Sequence, residues 1–151
     1  MNGVRTITGS KDPAYPMDSL QKSYRLPTGP RTLCIRTDMQ HGHGGLGENP
    51  EEIHVFADTF GMKGVPLVKI TAQGREGDLL WAKYSSKAQI ISATLNFSRD
   101  SGLWWERRWE SVPAEIKDRK VWARIPADAT VFYLNLTDNR NLVVSTEYVQ
   151  P

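Results

Sequence analysis

The chain has 151 residues, of which 39% are hydrophobic and 24% are charged, and this composition is typical of a globular protein rather than a disordered one. Its formal net charge of +2 is too small to indicate nucleic acid as a partner. A single cysteine, Cys34, excludes an internal disulfide framework and a zinc site built from cysteines.

The sequence shows neither a membrane-spanning segment nor a signal peptide. No segment approaches the ~20 consecutive apolar residues that a membrane-spanning helix requires. Residues 1–5 lack the apolar core of a signal peptide. The sequence therefore predicts no membrane partner and, by default, a cytoplasmic protein.

The first 62 residues alternate short strands with helices. A β-prone run over 4–8 ends at Gly9, and a helix is predicted from 17 or 18 to 26 because Pro27 follows it. A mostly apolar strand is predicted over 32–37, followed by a glycine-rich loop over 41–49. Pro50 and two carboxylates then open a second helix, which ends at Gly61. This strand–helix–strand–helix order indicates an α/β arrangement.

The remaining residues, 63–151, are almost entirely strand in pattern. Seven strands are predicted, separated by turn signals, over 67–72, 79–84, 90–97, 104–112, 120–125, 131–136 and 142–148. In the sixth strand, positions 131, 133 and 135 face one way and positions 132, 134 and 136 face the other. The pattern predicts two antiparallel sheets around a shared core.

The ends of the first two predicted strands carry residues suited to acid–base chemistry. Asp12 follows the first strand, and His41 and His43 follow the second. In open sheets, functional side chains lie at the carboxyl ends of strands, so Asp12 and one histidine are expected at the same edge. A carboxylate that binds one ring nitrogen of an imidazole fixes its tautomer. The alternative is that Asp12 caps a turn and the histidines only occupy a loop.

These residues lie in segments that resemble the late part of an α/β hydrolase. The matching segments are TGSKDPAYPMDSLQKSYRLP at 8–27, LCIR at 33–36 and HGHG at 41–44. The resemblance is to acetylxylan-esterase-like hydrolases and PhoPQ-activated pathogenicity-related proteins, in which a β-sandwich tail follows the hydrolase domain. The segments WWERRWESVP at 104–113 and ARIP at 123–126 are similar to that tail. The resemblance implies that Asp12 is the catalytic acid and His43, in its Gly-His-Gly context, the base, with His41 as the second choice.

The nucleophile of such hydrolases has no counterpart in this chain. It lies upstream on a Gly-x-Ser-x-Gly turn, and that motif is missing from all 151 residues. Without a nucleophile and an oxyanion hole, acyl transfer loses the interactions that contribute most to its rate. We therefore expect a C-terminal fragment of an esterase-like serine hydrolase, inactive alone. A carbohydrate ester is its expected substrate, and a missing hydrolase segment or self-association its expected partner. Export is expected if the parent esterase is secreted.

Two other constellations offer alternatives. In an extended strand Trp105, Arg107 and Trp109 point to the same face. If that face is exposed, Trp105 and Trp109 offer a substrate-binding surface on which sugar rings could stack. Buried, they would form part of the core. His41 and His43 with a nearby glutamate (48, 51 or 52) are a weak metal pattern, and neither a metal nor a cofactor is predicted.

The predicted fold class is α+β. Residues 1–62 are expected to form a partial α/β-hydrolase segment, and residues 63–151 an immunoglobulin- or fibronectin-like antiparallel β-sandwich. The hydrolase fragment is the first functional hypothesis. A carbohydrate- or protein-binding module and a purely structural accessory domain are the alternatives, and a large exposed apolar patch on residues 1–62 would favour the last.

Overall fold

A computed structural model describes residues 4–42, 49–60 and 64–151. The first part contains two strands and two helices: β1 (Val4–Lys11), α1 (Met17–Arg25), β2 (Arg31–Gln40) and α2 (Glu51–Phe60). The strands that follow are β3 (Lys69–Glu76), β4 (Leu79–Ser85), β5 (Ile90–Ser98), β6 (Glu110–Pro113), β7 (Glu115–Lys117), β8 (Lys120–Arg124), β9 (Val131–Asp138) and β10 (Val143–Ser145).

Strands β1 and β2 pair in parallel, and α1 is the connection between them. The pairing runs from Val4 opposite Arg31 to Gly9 opposite Arg36, and resumes after an irregularity with Lys11 opposite Gln40. Glycine is required at position 9, because a Cβ there would lie 2.0 Å from the carbonyl oxygen of Met39. This close approach draws the carboxyl ends of the two strands together.

The later strands form two antiparallel sheets, in the orders β10-β9-β5-β6 and β3-β4-β8-β7. Alternate residues of both sheets meet in one apolar core. Leu80 of β4 and Val121 of β8 pack in the same cluster as Leu95 of β5 and Leu134 of β9. The two sheets therefore lie face to face, as the period-2 alternation of their strands predicts.

Strand β9 is buried on both faces. Phe132, Leu134 and Leu136 point into the core between the two sheets. Val131 and Tyr133 point the other way, into a second cluster that they share with residues of α1 and β2. The predicted alternation of this strand is confirmed, and its second face holds the first part of the chain against the sheets.

Polar side chains complete this contact between β2 and the β9–β10 pair. Asn135 donates from Nδ2 to the carbonyl oxygen of Ile35 at 3.1 Å, and Ser145 Oγ accepts the Ile35 amide at 2.7 Å. The Ser145 hydroxyl donates in turn to Asn135 Oδ1 at 2.5 Å. Both backbone groups of Ile35, which is 2% exposed, are thus satisfied by the sandwich.

One predicted strand is wrong in its first half. Residues 104–112 were expected to be extended, but Trp104–Glu106 forms a turn of 3₁₀-helix and β6 begins only at Glu110. The guanidinium carbon of Arg107 lies 3.9 Å from the ring centroid of Trp104, and the arginine donates to the carbonyl of Gly102. Packing of these large side chains against one another overrides the strand propensity of the run. The short strand β7 was not predicted.

The predicted fold class, α+β with an α/β-hydrolase segment, is wrong. Strands make up 48% of the structure and helix 15%, in two helices, with several antiparallel sheets, so a β-rich fold is what the described residues show. The physical reason lies in β1 and β2, which pair with each other as a two-stranded sheet. Side-chain contacts of β2 with β9 and β10, and a hydrogen bond from Arg5 of β1 to the carbonyl oxygen of Val143, attach this pair to the sandwich, and the pair does not extend into a larger parallel sheet.

The segment that leads into β3 is attached to the turn between β9 and β10. Arg140 donates to the carbonyl oxygens of Val65 and Pro66 at 2.6 and 3.2 Å. The buried carboxylate of Asp138 holds the same guanidinium at 2.6 Å. The predicted division of the chain into 1–62 and 63–151 stays a prediction. In the described part of the chain, no helix is long and apolar enough to cross a membrane.

Titration of Cys34 is expected to make the free energy of unfolding depend on pH in the alkaline range. Its side chain is fully buried in β2, and burial, reinforced by the carboxylate of Glu52, raises the thiol pKa from 9.0 to about 11. The unfolded chain loses the thiol proton first. The protonated thiol therefore stabilises the folded state fully below pH 9, and this contribution is lost as the pH rises to 11. The loss in the free energy of unfolding is roughly 3 kcal/mol, which corresponds to two pKa units.

We expect urea unfolding between pH 8 and pH 10.5 to show this loss in the wild type and not in Cys34→Ala. The comparison is between slopes against pH, because the alanine variant also leaves a cavity that lowers stability at every pH. Equal slopes in the two proteins would show that the thiol does not titrate differently on folding.

Candidate functional site

Asp12 and His41 meet where β1 and β2 end. Lys11, the last residue of β1, pairs with Gln40, the last residue of β2, so the residues that follow them lie side by side. His41 Nδ1 lies 3.2 Å from Asp12 Oδ2. The parallel pairing of two strands thus produces the carboxylate–imidazole contact, as expected from the sequence.

The carboxylate of Asp12 is held in place independently of the imidazole. Its Oδ1 accepts hydrogen bonds from the backbone amides of Ala14 and Tyr15 at 2.8 and 3.0 Å. Pro13 favours this tight turn because its ring restricts φ and it has no amide hydrogen. The side chain of Asp12 is 10% exposed, so its second oxygen is directed at His41 rather than at solvent.

His41 borders a pocket of about 350 Å³. Its side chain is 40% exposed. The ring of Tyr15 lies 5.7 Å from the imidazole at an angle of 50°, and Ile53 of α2 contributes an apolar wall. Arg5, from the start of β1, adds a positive charge to the lining. Asp12, His41, a tyrosine ring and a guanidinium therefore share one concave site.

His43, the preferred base in the sequence analysis, lies outside the described residues, so its assignment stays a prediction. His41 was the second choice, and among the described residues it contacts Asp12. The metal alternative is not supported where the structure is described. There, no group of three potential ligands comes together, and Glu52 is buried against Arg36 rather than near His41.

Among the described residues, no serine or cysteine lines this pocket. Ser10 is 1% exposed, and its Oγ accepts the amide of Asp38 at 2.8 Å, so it serves the strand pairing. Cys34 is fully buried, and its raised pKa keeps it as an unreactive thiol. The pocket contains an orienting acid and a base, and the hydroxyl groups among its described lining residues are those of Thr8 and Tyr15.

Trp105 and Trp109 do not form an exposed stacking surface. Trp109 is 8% exposed and packs edge-on against Tyr133, with ring centroids 5.4 Å apart. Trp105 packs at the side of the same cluster, in the 3₁₀ turn rather than on a strand. Of the two alternatives drawn from the sequence, the structure therefore agrees with burial in the core, and Arg107 covers Trp104 rather than lying between Trp105 and Trp109.

Tyr15 and Arg5 were not singled out from the sequence. The turn that begins at Asp12 could have indicated Tyr15, because an Asx-type turn brings the third residue back over the carboxylate. Arg5 offers no such signal, since its contribution depends on the pairing of β1 with β2 and on the position of α2.

Comparison of the chain with known proteins found no match among protein families, curated proteins or solved structures. The resemblance to α/β hydrolases therefore stays a prediction.

Proposed function

We propose that this chain supplies the acid–base pair of a serine-hydrolase-type site that acts on esters, with Asp12 as the orienting acid and His41 as the general base. The hydrogen bond of 3.2 Å between His41 Nδ1 and Asp12 Oδ2 supports this assignment. The two backbone amides on the other carboxylate oxygen add to it, because they orient the carboxylate in advance of any substrate.

The chemistry follows from the tautomer of the imidazole. A carboxylate accepts a hydrogen bond, so the neutral ring carries its proton on Nδ1 and its basic lone pair on Nε2. Nε2 takes the proton of a hydroxyl as that oxygen attacks the ester carbonyl, and it returns the proton to the departing alcohol. The imidazolium formed in between is stabilised by the negative charge of Asp12.

The nucleophile in this proposal comes from another polypeptide segment, because neither Ser10 nor Cys34 is placed to react. The chain alone is then expected to be inactive as an esterase. Carbohydrate esters are the substrate class that the resemblance suggests, and the cation Arg5 in the pocket lining is compatible with a polar acyl or sugar group.

Asp12→Asn provides the test, because it is expected to remove the orienting contact without undoing the turn. The amide oxygen can still accept the two backbone amides, while its NH₂ group cannot accept the proton on His41 Nδ1. Nitrogen-15 NMR of the histidine rings is expected to show the Nδ1–H tautomer for wild-type His41 at neutral pH, and a mixture or the Nε2–H tautomer in the variant. The ring resonances that disappear in His41→Gln are assigned to His41.

Asp38→Asn is the matched control, since it removes one carboxylate charge near the end of β2 from a side chain that is 60% exposed. It is expected to leave the His41 tautomer unchanged. An Nε2–H tautomer in the wild type would contradict the proposal. So would a burst of p-nitrophenyl acetate hydrolysis by the pure chain that His41→Ala abolishes, because the chain would then contain its own nucleophile.

A further inference from the structure

The outward face of the β3-β4-β8-β7 sheet carries a second, separate group of aromatic and charged side chains. Leu80 and Ala82 of β4 and Val121 and Ala123 of β8 point into the core. The residues between them point outward, because side chains alternate along a strand. These outward residues line an open groove of about 620 Å³.

Strand register arranges the groove into two adjacent rows. In the aromatic row, Trp81 of β4 pairs with Trp122 of β8, which pairs with Glu115 of β7. At the other end of this row Gly74 of β3 lies opposite Trp81. A Cβ on Gly74 would lie 2.9 Å from the indole, so the absence of a side chain there lets the ring lie across β3.

The second row consists of three lysines. Lys120 of β8 pairs with Lys83 of β4 on one side and with Lys117 of β7 on the other. Like charges directly opposite each other destabilise a sheet. Within the described residues, none of the three lysines forms an ion pair, and Lys120 Nζ lies 5.3 Å from the centroid of the Trp81 ring. The repulsion is offset when an anion binds across the row.

Acidic side chains on the same groove limit the kind of anion. Glu76 and Asp118 line it, and Glu115 ends the aromatic row. Carboxylates accept hydrogen bonds from hydroxyl groups but repel phosphodiesters, which have no hydrogen to donate. The three lysines and Arg119, which also lines the groove, neutralise few charges compared with the roughly six to ten phosphate contacts of a strong nucleic-acid site. A ligand with flat ring faces, several hydroxyls and sparse negative charge fits this combination of indoles, lysines and carboxylates.

We propose that the groove over Trp81 and Trp122 binds an oligosaccharide that carries carboxylate groups. The sugar rings lie on the two indoles, their hydroxyls donate to the acidic side chains, and a carboxylate lies over the lysine row. The site is on the opposite face of the sandwich sheet from the core and is independent of the Asp12–His41 pair.

Calorimetric titration with a hexasaccharide of hyaluronan, which carries a carboxylate on every second ring, tests the proposal, with neutral cellohexaose and a twelve-residue oligo(dT) as comparison ligands. The acidic hexasaccharide is expected to bind saturably in the millimolar range or tighter, and more weakly as salt screens the lysines. Trp122→Ala and Lys120→Glu are each expected to weaken binding about tenfold or more, which corresponds to about 1.4 kcal/mol. Lys22→Glu, an exposed charge change on α1, is expected to have no effect.

Each variant is checked by its thermal unfolding. If Trp122→Ala is unfolded, Lys120→Glu and Lys117→Glu decide the outcome alone. Lack of binding to the acidic hexasaccharide, equal binding of cellohexaose, or tighter binding of oligo(dT) would each overturn the proposal. So would a wild-type dimer that Trp122→Ala converts to a monomer, because the groove would then bind a second copy of the chain.

Discussion

Replacing Glu52 by alanine is expected to lower the free energy of unfolding by about 3–5 kcal/mol, since breaking a buried ion pair leaves the partner charge uncompensated. Glu52 is fully buried in the first turn of α2. Its Oε1 accepts hydrogen bonds from the guanidinium of Arg36 and, at 3.0 Å, from the amide of Val143. One carboxylate thus ties α2 to β2 and β10. Chemical denaturation at neutral pH measures the loss.

Glu51→Ala is the matched control, because Glu51 is the exposed neighbour of Glu52 on the same helical turn. It is expected to change stability by no more than about 0.5 kcal/mol. Glu52→Gln separates charge from hydrogen bonding, since its amide oxygen still accepts the Val143 amide. If Glu52→Ala were as mild as the control, water would have to replace the carboxylate and the helix would not depend on it.

Ser145→Ala is expected to destabilise the contact between the two parts of the chain by roughly 2–6 kcal/mol, because it leaves two buried groups without partners and each such group costs about 1–3 kcal/mol. The two groups are the amide of Ile35 and Oδ1 of Asn135, which both bond to the serine hydroxyl. Thermal or urea unfolding measures the loss, and hydrogen exchange at Ile35 locates it.

Ser92→Ala on β5 is the control for this change, because Ser92 is exposed. It is expected to be close to neutral. Faster exchange confined to β1 and β2 in Ser145→Ala, with the sandwich strands still protected, would mean that the first part detaches locally. Unchanged exchange at Ile35 would contradict the role assigned to the serine.

The strands that alternate cleanly were predictable from sequence, since a period of two needs no knowledge of distant residues. Strand β9 is the best case, because each of its faces meets a different apolar cluster. The prediction of a strand beginning at Trp104 was wrong because the aromatic and cationic side chains there pack on one another across a turn. Such packing depends on which surfaces the other elements present.

The predicted fold class was wrong for a related reason. A strand–helix–strand–helix pattern is local, and it describes the order of β1, α1, β2 and α2. What the pair β1–β2 packs against is decided by Asn135 and Ser145, which lie 100 and 110 positions away in sequence from Ile35. Local periodicity contains no information about that contact, so the hydrolase segment could not be distinguished from two strands docked on a sandwich.

The amino-acid order alone was enough to identify the candidate acid and to narrow the base to two histidines, because both follow strands that end at one edge. Tertiary structure was needed to show that His41 contacts Asp12, that Trp109 is buried and that Trp81 pairs with Trp122. The physical reason is that hydrogen bonds, burial and cross-strand pairs depend on register between segments. Composition and periodicity specify the strands, and packing specifies which side chains meet.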